Sequence, residues 1–226
     1  MLHASFPEQS SVLLIGSPGI GTLEFNVFLA KDYLDRGDTV VFVAIDNAPA
    51  DLVALMDLFG VQTKEQLGKR LFFLDYNSAL LGFSEQRGVR QSEIRSISDL
   101  EGIMFNIAAI SQETGKKLRI FLYSLSTLFL YNQANVVLKF FQISTSKIKS
   151  DFGSVVVSLH DGVHDDKTVN HLMAIADGVI ELQFDDELNK MMRIRHMRGV
   201  PTSPDWVPFE IRNSGSNAPV RILEWR

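Results

Sequence analysis

The 226-residue chain contains no cysteine, which excludes disulfide bridges, thiolate metal sites and cysteine nucleophiles. It also lacks a long hydrophobic run, since its most apolar stretch, residues 120–131, is too short and too polar to span a bilayer. The first ten residues lack a basic start followed by an apolar segment, so we expect no secretory leader. These absences predict a cytoplasmic protein without a membrane partner.

Basic residues are also fewer than acidic residues. The chain has 22 Lys and Arg against 27 Asp and Glu, and the net charge is −5. Proteins that act mainly on nucleic acid usually carry a basic domain, so nucleic acid is not the expected partner. A local basic strip is the alternative, without the aromatic interleaving of a single-strand binder. That strip would comprise Lys139, Lys147, Lys149, Arg193 and Arg195.

Apolar residues, by contrast, make up 46% of the chain, enough for one sizeable core. We therefore expect one domain over residues 1–226. Apolar runs rich in Val and Ile alternate with stretches of helical spacing, which is typical of parallel βα units. The predicted strands are residues 12–15, 39–45, 71–74, 118–123 and 154–159, and the predicted helices are residues 23–35, 49–59, 98–115, 132–149 and 166–176.

After residue 176 the pattern changes. Two β-prone runs, residues 178–184 and 190–197, flank an acidic turn and predict a hairpin. Short strands are expected at residues 209–212 and 219–225. The whole pattern predicts an α/β fold, in which a mostly parallel sheet is flanked by helices on both faces and ends in antiparallel strands. Residues 77–95 show no regular spacing and predict a loop.

A glycine-rich turn connects the first strand to the first helix. Gly16 and Gly21 occupy the glycine positions of the phosphate-binding pattern G-x-x-x-x-G-K-[ST]. Thr22 stands at the lysine position and Leu23 at the hydroxyl position, so only the backbone part of the site is retained. A hydrogen bond to a charged group contributes roughly 1.5–3 kcal/mol, so losing the lysine alone weakens triphosphate binding by about tenfold or more. The alternative is a tight turn that binds nothing.

Ligands of such sheets bind beyond the carboxyl ends of the strands. The predicted strand ends form one candidate site, which comprises the glycine loop, Asp46, Asn47, Asp75, Tyr123, Ser124 and His160. Two other constellations compete with it. The histidines and acids of residues 160–166 could hold a divalent ion, although their spacing matches no helical metal motif. A serine hydrolase is not indicated, because no serine lies in a G-x-S-x-G elbow.

The chain also resembles the KaiC-like ATPases of the RecA superfamily. The resemblance rests most specifically on ADGVIELQ, residues 176–183, and on RIRHMRGVPTSPDWVPFEI, residues 193–211. Residues 119–128 are similar to the family's Walker B strand, and residues 41–52 to its strand that ends in two acids. The resemblance implies a RecA-like P-loop fold over nearly the whole chain. It also implies that subunits assemble with the nucleotide between them, so that His196 and Arg198 would reach a neighbouring subunit.

The departures from the family pattern fall on its chemical groups. Thr22 and Leu23 replace the lysine and the hydroxyl, Tyr123 replaces the Walker B aspartate, and Asp46 with Asn47 replaces the acidic pair. His196 replaces a lysine. We therefore expect no catalytic residue, no metal site and no useful hydrolysis. The residues of this vestigial nucleotide site are Gly16, Ser17, Pro18, Gly19, Ile20, Gly21, Thr22, Leu23, Asp46 and Tyr123.

Three functions remain open on the sequence. The leading hypothesis is an inactive KaiC/RecA-like component of a homo-oligomer or of a complex with a protein or peptide, without a cofactor. In this hypothesis Tyr123 fills the vacated site and leaves a cleft too small for a triphosphate. The first alternative is a regulatory protein that binds ATP or ADP with little or no hydrolysis. The second is a peptide-binding module whose apolar surface includes Leu80, Leu81 and Phe83.

Overall fold

The computed structural model describes residues 6–81, 98–211 and 220–222. Its strands alternate with helices along most of the chain, as the apolar pattern predicts. The strands are β1 (Ser11–Gly16), β2 (Thr39–Ala44), β3 (Leu71–Asp75), β4 (Leu118–Tyr123), β5 (Gly153–His160), β6 (Gly178–Phe184), β7 (Lys190–Met197), β8 (Val207–Ile211) and β9 (Val220–Ile222). The helices are α1 (Thr22–Asp35), α2 (Pro49–Leu58), α3 (Thr63–Gln66), α4 (Tyr76–Leu81), α5 (Leu100–Thr114), α6 (Leu125–Tyr131), α7 (Ala134–Lys147) and α8 (Asp166–Ile175), and a π-helical turn (Ile148–Phe152) follows α7.

The strands of this part of the chain form one sheet in the order β3-β2-β4-β5-β1-β6-β7-β8-β9. Strands β1 to β6 pair in parallel, and β7, β8 and β9 continue the sheet as antiparallel strands. This arrangement confirms the predicted α/β fold with antiparallel C-terminal strands. Because β1 lies inside the parallel part of the sheet, its carboxyl end and the loop that follows lie where ligands of such sheets bind.

Side chains alternate between the two faces of the sheet. Val12 and Leu14 of β1 pack into one apolar cluster with α1 and α2, whereas Leu13 and Ile15 pack into a second cluster with α5, α6, α7 and α8. All four side chains are buried. A strand that is covered on both faces needs a continuous apolar run, which is why these strands could be located from the sequence.

Several local predictions are wrong. Residues 125–131 form α6, which the sequence analysis did not predict, because a short helix directly follows a strand within one apolar run. Ser124 begins this helix, and its side chain accepts a hydrogen bond from the Thr127 N–H. The next helix begins at Ala134 rather than at residue 132.

Helix α5 begins at Leu100, two residues after the predicted start at residue 98, and Asp99 caps it. The Asp99 carboxylate accepts a 2.9 Å hydrogen bond from the Gly102 N–H, and a carboxylate is well placed at the positive end of a helix. Ser98 instead donates to the Tyr131 carbonyl. The loop predicted over residues 77–95 begins with helix α4, and its remainder lies outside the described residues.

Candidate functional site

An open cleft of about 610 Å³ lies over the glycine loop, at the carboxyl ends of the parallel strands. Loop residues, Tyr123 at the end of β4 and His160 at the end of β5 contribute to its lining. Lys190 and Ile211, from the antiparallel strands, complete it. Small-molecule sites typically measure about 300–1,000 Å³, so the cleft has the size of a ligand site. The expectation that the cleft is too small for a triphosphate is therefore wrong.

Backbone hydrogen bonds and one buried side chain hold the glycine loop in place. Gly19 and Gly21 adopt φ values of 78° and 98°, which favour glycine over other residues. Between them, Ile20 donates its N–H to the Ser17 carbonyl, and its side chain is fully buried. Burying such a side chain contributes about 1.5–3 kcal/mol relative to exposing it. The loop conformation is thus supported by contacts within this chain.

The first turn of α1 leaves backbone donors at the cleft. The first intrahelical hydrogen bond runs from the Phe25 N–H to the Gly21 carbonyl. The N–H groups of Thr22, Leu23 and Glu24 precede it and have no acceptor within the helix. Such donors, together with the helix dipole, favour an anion.

The two residues at the positions of the phosphate-binding lysine and hydroxyl do not replace those groups. Thr22 is buried, and its Oγ1 lies 2.0 Å from the point where a Cβ on Gly16 would stand, so the hydroxyl packs against the loop backbone. Leu23 lines the cleft and packs against the core. The loop therefore supplies neither a cation nor a metal-binding hydroxyl from these positions.

Lys190 brings a cation to the loop from a distant part of the chain. Its ammonium group donates a 2.8 Å hydrogen bond to the Ile20 carbonyl, and it lies 3.4 Å from the point where a Cβ on Gly21 would stand. Lys190 is not among the site residues predicted from the sequence, and it is 170 positions from Ile20. A signal was present, because the predicted hairpin places Lys190 opposite Phe184 at the same sheet edge as the loop.

Tyr123 presents a neutral ring where the family pattern has an aspartate. Burial raises the pKa of Tyr123 to about 12, and the nearby carboxylates of Asp46 and Glu24 act in the same direction. The ring packs edge-on against His160, with 5.9 Å between the ring centroids. Tyr123 lines the cleft without filling it. It therefore offers no carboxylate for a magnesium ion.

Asp46 is engaged by the neighbouring strand end. Its carboxylate accepts a 2.8 Å hydrogen bond from the Ser124 hydroxyl and a 3.3 Å one from the Ser124 N–H. Its Oδ2 lies 3.8 Å from His160 Nε2. Asp46 does not contribute to the lining of the cleft. Asp46 therefore lies next to two lining residues, Tyr123 and His160, without lining the cleft itself.

The histidines and acids of residues 160–166 do not converge on one point. Ser126 Oγ accepts a hydrogen bond from the His160 N–H and lies 2.9 Å from His164 Nε2. Burial lowers the pKa of His164, and nearby His160 lowers it further although Asp165 opposes both. Asp165 caps α8 by accepting from Thr168. Within residues 6–81, 98–211 and 220–222, no group of three or more His, Asp or Glu is placed to hold a metal ion.

Arg198 and His196 lie at the opposite end of β7 from Lys190. Both side chains are exposed, and Arg198 Nη1 contacts Asp177 Oδ1 at 2.8 Å. Asp177 lies at the edge of the sheet where the parallel strands begin, because its carboxylate accepts hydrogen bonds from Ser11, the first residue of β1. An eight-residue strand spans on the order of 20 Å, so Arg198 does not reach the cleft of its own chain.

The candidate basic strip is largely neutralised within the chain. Arg193 and Arg195 both pair with Glu181. Lys147 pairs with Asp151 at 2.9 Å, and Lys149 pairs with Asp177 at 2.7 Å. The strip therefore does not present a row of free cations to a phosphate backbone.

The apolar segment of the peptide-binding alternative lies largely outside the described residues. Phe83 lies outside the described residues, and only the backbone of Leu80 and Leu81 is described, within α4. In the described part of the chain, no helix combines the length and hydropathy that a bilayer crossing requires.

Known proteins resemble this chain over nearly its whole length. A family model described as "ATPase: KaiC" matches residues 1–219. A UPF0273 protein of Thermotoga maritima is 28% identical over 225 residues, covering 95% of this chain and 89% of its own. A UPF0273 protein of Pyrococcus horikoshii is 23% identical over 221 residues, with coverages of 95% and 87%.

Among solved structures, the crystal structure of a KaiC-like protein from Pyrococcus horikoshii superposes with a TM-score of 0.73. The superposition covers 97% of this chain and 91% of that chain, at 19% sequence identity. At this identity the likeness concerns the fold alone.

Proposed function

Because the chain belongs to the KaiC ATPase family, we propose that it is a nucleotide-binding protein that holds ATP or ADP with little or no hydrolysis. The observation that carries this proposal is the open cleft of about 610 Å³ over the glycine loop. An inert scaffold whose own side chains fill the vacated site would have no such cleft. The open cleft therefore favours nucleotide binding over the leading hypothesis of the sequence analysis.

Two kinds of donor support phosphate binding in the cleft. The N–H groups at the start of α1 have no helical acceptor, and the Lys190 ammonium lies beside Gly21. Backbone donors of this kind hold phosphate in other glycine loops that precede a helix. Phosphate binding by these groups uses backbone N–H groups and Lys190, so it does not require a lysine side chain at position 22 or a hydroxyl at position 23.

Three features argue against metal-dependent hydrolysis. Leu23 has no hydroxyl for magnesium, and Tyr123 is neutral where a carboxylate would hold the metal. Asp46, which stands at the first position of the family's acidic pair, accepts two hydrogen bonds from Ser124. Phosphoryl transfer depends on positioned charge, above all on magnesium bridging the phosphates. With these groups absent or engaged elsewhere, turnover should stay at the background rate.

Calorimetry with ADP and ATP on the purified protein tests the proposal. Gly21→Ala should weaken binding, because the φ of 98° disfavours alanine and the new Cβ would displace Ile211 Cδ1, which lies 2.3 Å away. Gly115→Ala is the matched control, since Gly115 also has a positive φ but its Cβ would meet nothing within 4 Å. No binding by the wild type, or ATP turnover that Gly21→Ala removes, would overturn the proposal.

We also propose that the protein assembles with copies of itself. The observation that favours assembly is the position of Arg198, which is exposed at the edge remote from its own cleft. In the family that the chain resembles, the corresponding turn reaches the nucleotide of a neighbouring subunit. Arg198 can serve such a role only between subunits.

A further inference from the structure

We propose that Lys190 is the phosphate-binding cation of this cleft and that it allows a nucleoside di- or triphosphate to bind without magnesium. This inference rests on the proposed nucleotide-binding function. It adds that Lys190 binds the phosphates and that binding does not require magnesium. It assigns to the second hairpin strand a role that the lysine within the glycine loop normally performs.

The position of Lys190 is the first support. Its ammonium donates to the Ile20 carbonyl at 2.8 Å, so it lies over the loop itself and not merely near the cleft. An ammonium has three N–H donors, and this contact uses one of them. The side chain is only partly exposed, which restricts where the ammonium can go. Two donors are thus left for a phosphate seated on the loop.

Gly21 makes this arrangement possible. A Cβ at Gly21 would lie 2.3 Å from Ile211 Cδ1 and 3.4 Å from Lys190 Nζ. The absence of a side chain therefore leaves room over the loop for both Ile211 of β8 and Lys190 of β7. Gly21 thus has two roles. Its φ of 98° allows the backbone to turn, and its lack of a side chain leaves space for the Lys190 ammonium.

The charge of the cleft lining is the second support. Glu24 brings a carboxylate to the lining. A Cβ on Gly21 would lie 3.4 Å from Glu24 Oε2 and also 3.4 Å from Lys190 Nζ, so both charged groups are close to the loop. A carboxylate there repels a phosphate. Lys190 offsets that repulsion, so its removal would leave the lining with a net negative charge that disfavours any phosphate ligand.

A neighbouring depression gives the ligand room beyond the phosphates. It measures about 500 Å³, lies over the β7 and β8 strands, and shares Lys190 and Ile211 with the cleft. Its lining includes Leu188, Pro208 and Phe209. Asp185, Asn189 and Glu210 line it as well. Lys190 therefore stands between the loop and a second open depression, which leaves room for the nucleoside of a ligand whose phosphates lie on the loop.

A rival arrangement assigns Glu24 to a metal. Magnesium is often held by a single carboxylate together with the phosphates of its substrate. In that arrangement binding would require magnesium, and Glu24→Gln would weaken it. If Lys190 is the cation, Glu24→Gln removes a repulsion and should strengthen binding. The two arrangements thus predict opposite effects of one substitution.

The experiment is an ADP titration by calorimetry, in EDTA and again with magnesium. We expect wild-type protein to bind ADP equally in both buffers, and Lys190→Gln to weaken binding by about tenfold to a hundredfold. Lys190→Arg should recover part of the loss. Lys69→Gln, which removes an exposed lysine just before β3, is the matched control and should bind like the wild type. Circular dichroism verifies that each variant is folded.

The outcomes separate this inference from the proposed function. ADP binding that survives Lys190→Gln, or that requires magnesium and is lost in Glu24→Gln, overturns the inference and leaves nucleotide binding standing. Binding of inorganic pyrophosphate but not of ADP, with loss in Lys190→Gln, supports the role of Lys190 and overturns the nucleotide function. Binding of neither probe by the wild type overturns both.

Discussion

The guanidinium of Arg198 lies 2.8 Å from the carboxylate of Asp177, a side chain that also pairs with Lys149. The two partners differ in burial, since the side chain of Arg198 is 69% exposed whereas that of Asp177 is only 8% exposed. An exposed arginine in such a pair contributes about 0–1 kcal/mol, so little free energy holds it in place. Arg198 is therefore available to a second subunit, while Lys149 and Ser11 keep Asp177 paired.

Arg198→Ala should impair self-assembly. We expect light scattering to show an oligomer for the wild type in the presence of ATP, and a shift of Arg198→Ala towards the monomer. Arg195→Ala is the control, because Arg195 is an exposed arginine of β7, three residues before Arg198, and its partner is Glu181. A wild type that remains monomeric at high concentration, with and without nucleotide, would contradict the assembly proposal.

Asp177 should make the folding stability depend on pH. Burial by itself would raise its pKa, but hydrogen bonds from Lys149 and Ser11 outweigh it and hold the pKa below its usual range. A lowered pKa in the folded state means that the stabilisation is complete above the unfolded pKa of about 3.9 and is lost as the pH falls below it.

Chemical denaturation of Asp177→Asn measures this contribution. At pH 7 the variant should unfold with about 1–3 kcal/mol less free energy than the wild type, and the difference should shrink as the pH falls below about 4. Asp186→Asn, in the exposed turn before β7, should show no such difference. A pH-independent gap between Asp177→Asn and the wild type would refute the argument.

Restoring two loop residues should restore magnesium-dependent binding but not hydrolysis. Thr22→Lys with Leu23→Thr returns the cation and the metal-binding hydroxyl, so we expect ATP to bind at least tenfold more tightly with magnesium. Turnover should remain at background, because Tyr123 still provides no carboxylate. Thr22→Met with Leu23→Val matches the size of the repaired residues without their polar groups.

Two results would count against this prediction. If the repaired loop binds ATP no better than the Met and Val control, then the loop is not shaped for phosphate. If the repaired protein hydrolyses ATP, then a carboxylate at position 123 is dispensable, and the argument that Tyr123 prevents turnover fails.

The sequence by itself determined the parallel core and the place of the candidate site. Residues such as Val12, Leu13 and Leu14 had to be apolar without interruption, because β1 is covered on both faces. Gly19 and Gly21 marked the turn, since its positive φ values favour glycine. These are local properties, and the hairpin and the order of elements followed from the same periodicities. Helix α6 was missed because a seven-residue segment next to a strand shows too little periodicity.

Only the tertiary structure decided what the site contains. Whether Tyr123 fills the cleft or borders it depends on how neighbouring side chains pack, and the strand pattern carries no information on packing. Asp46 is bonded to Ser124, 78 positions away, and does not line the cleft, whereas Lys190 lines it and bonds to Ile20, 170 positions away. Such pairs are set by the order and register of strands within the sheet. Long-range packing therefore determines the volume and the charge of the cleft, whereas the glycine loop can be predicted from the sequence pattern alone.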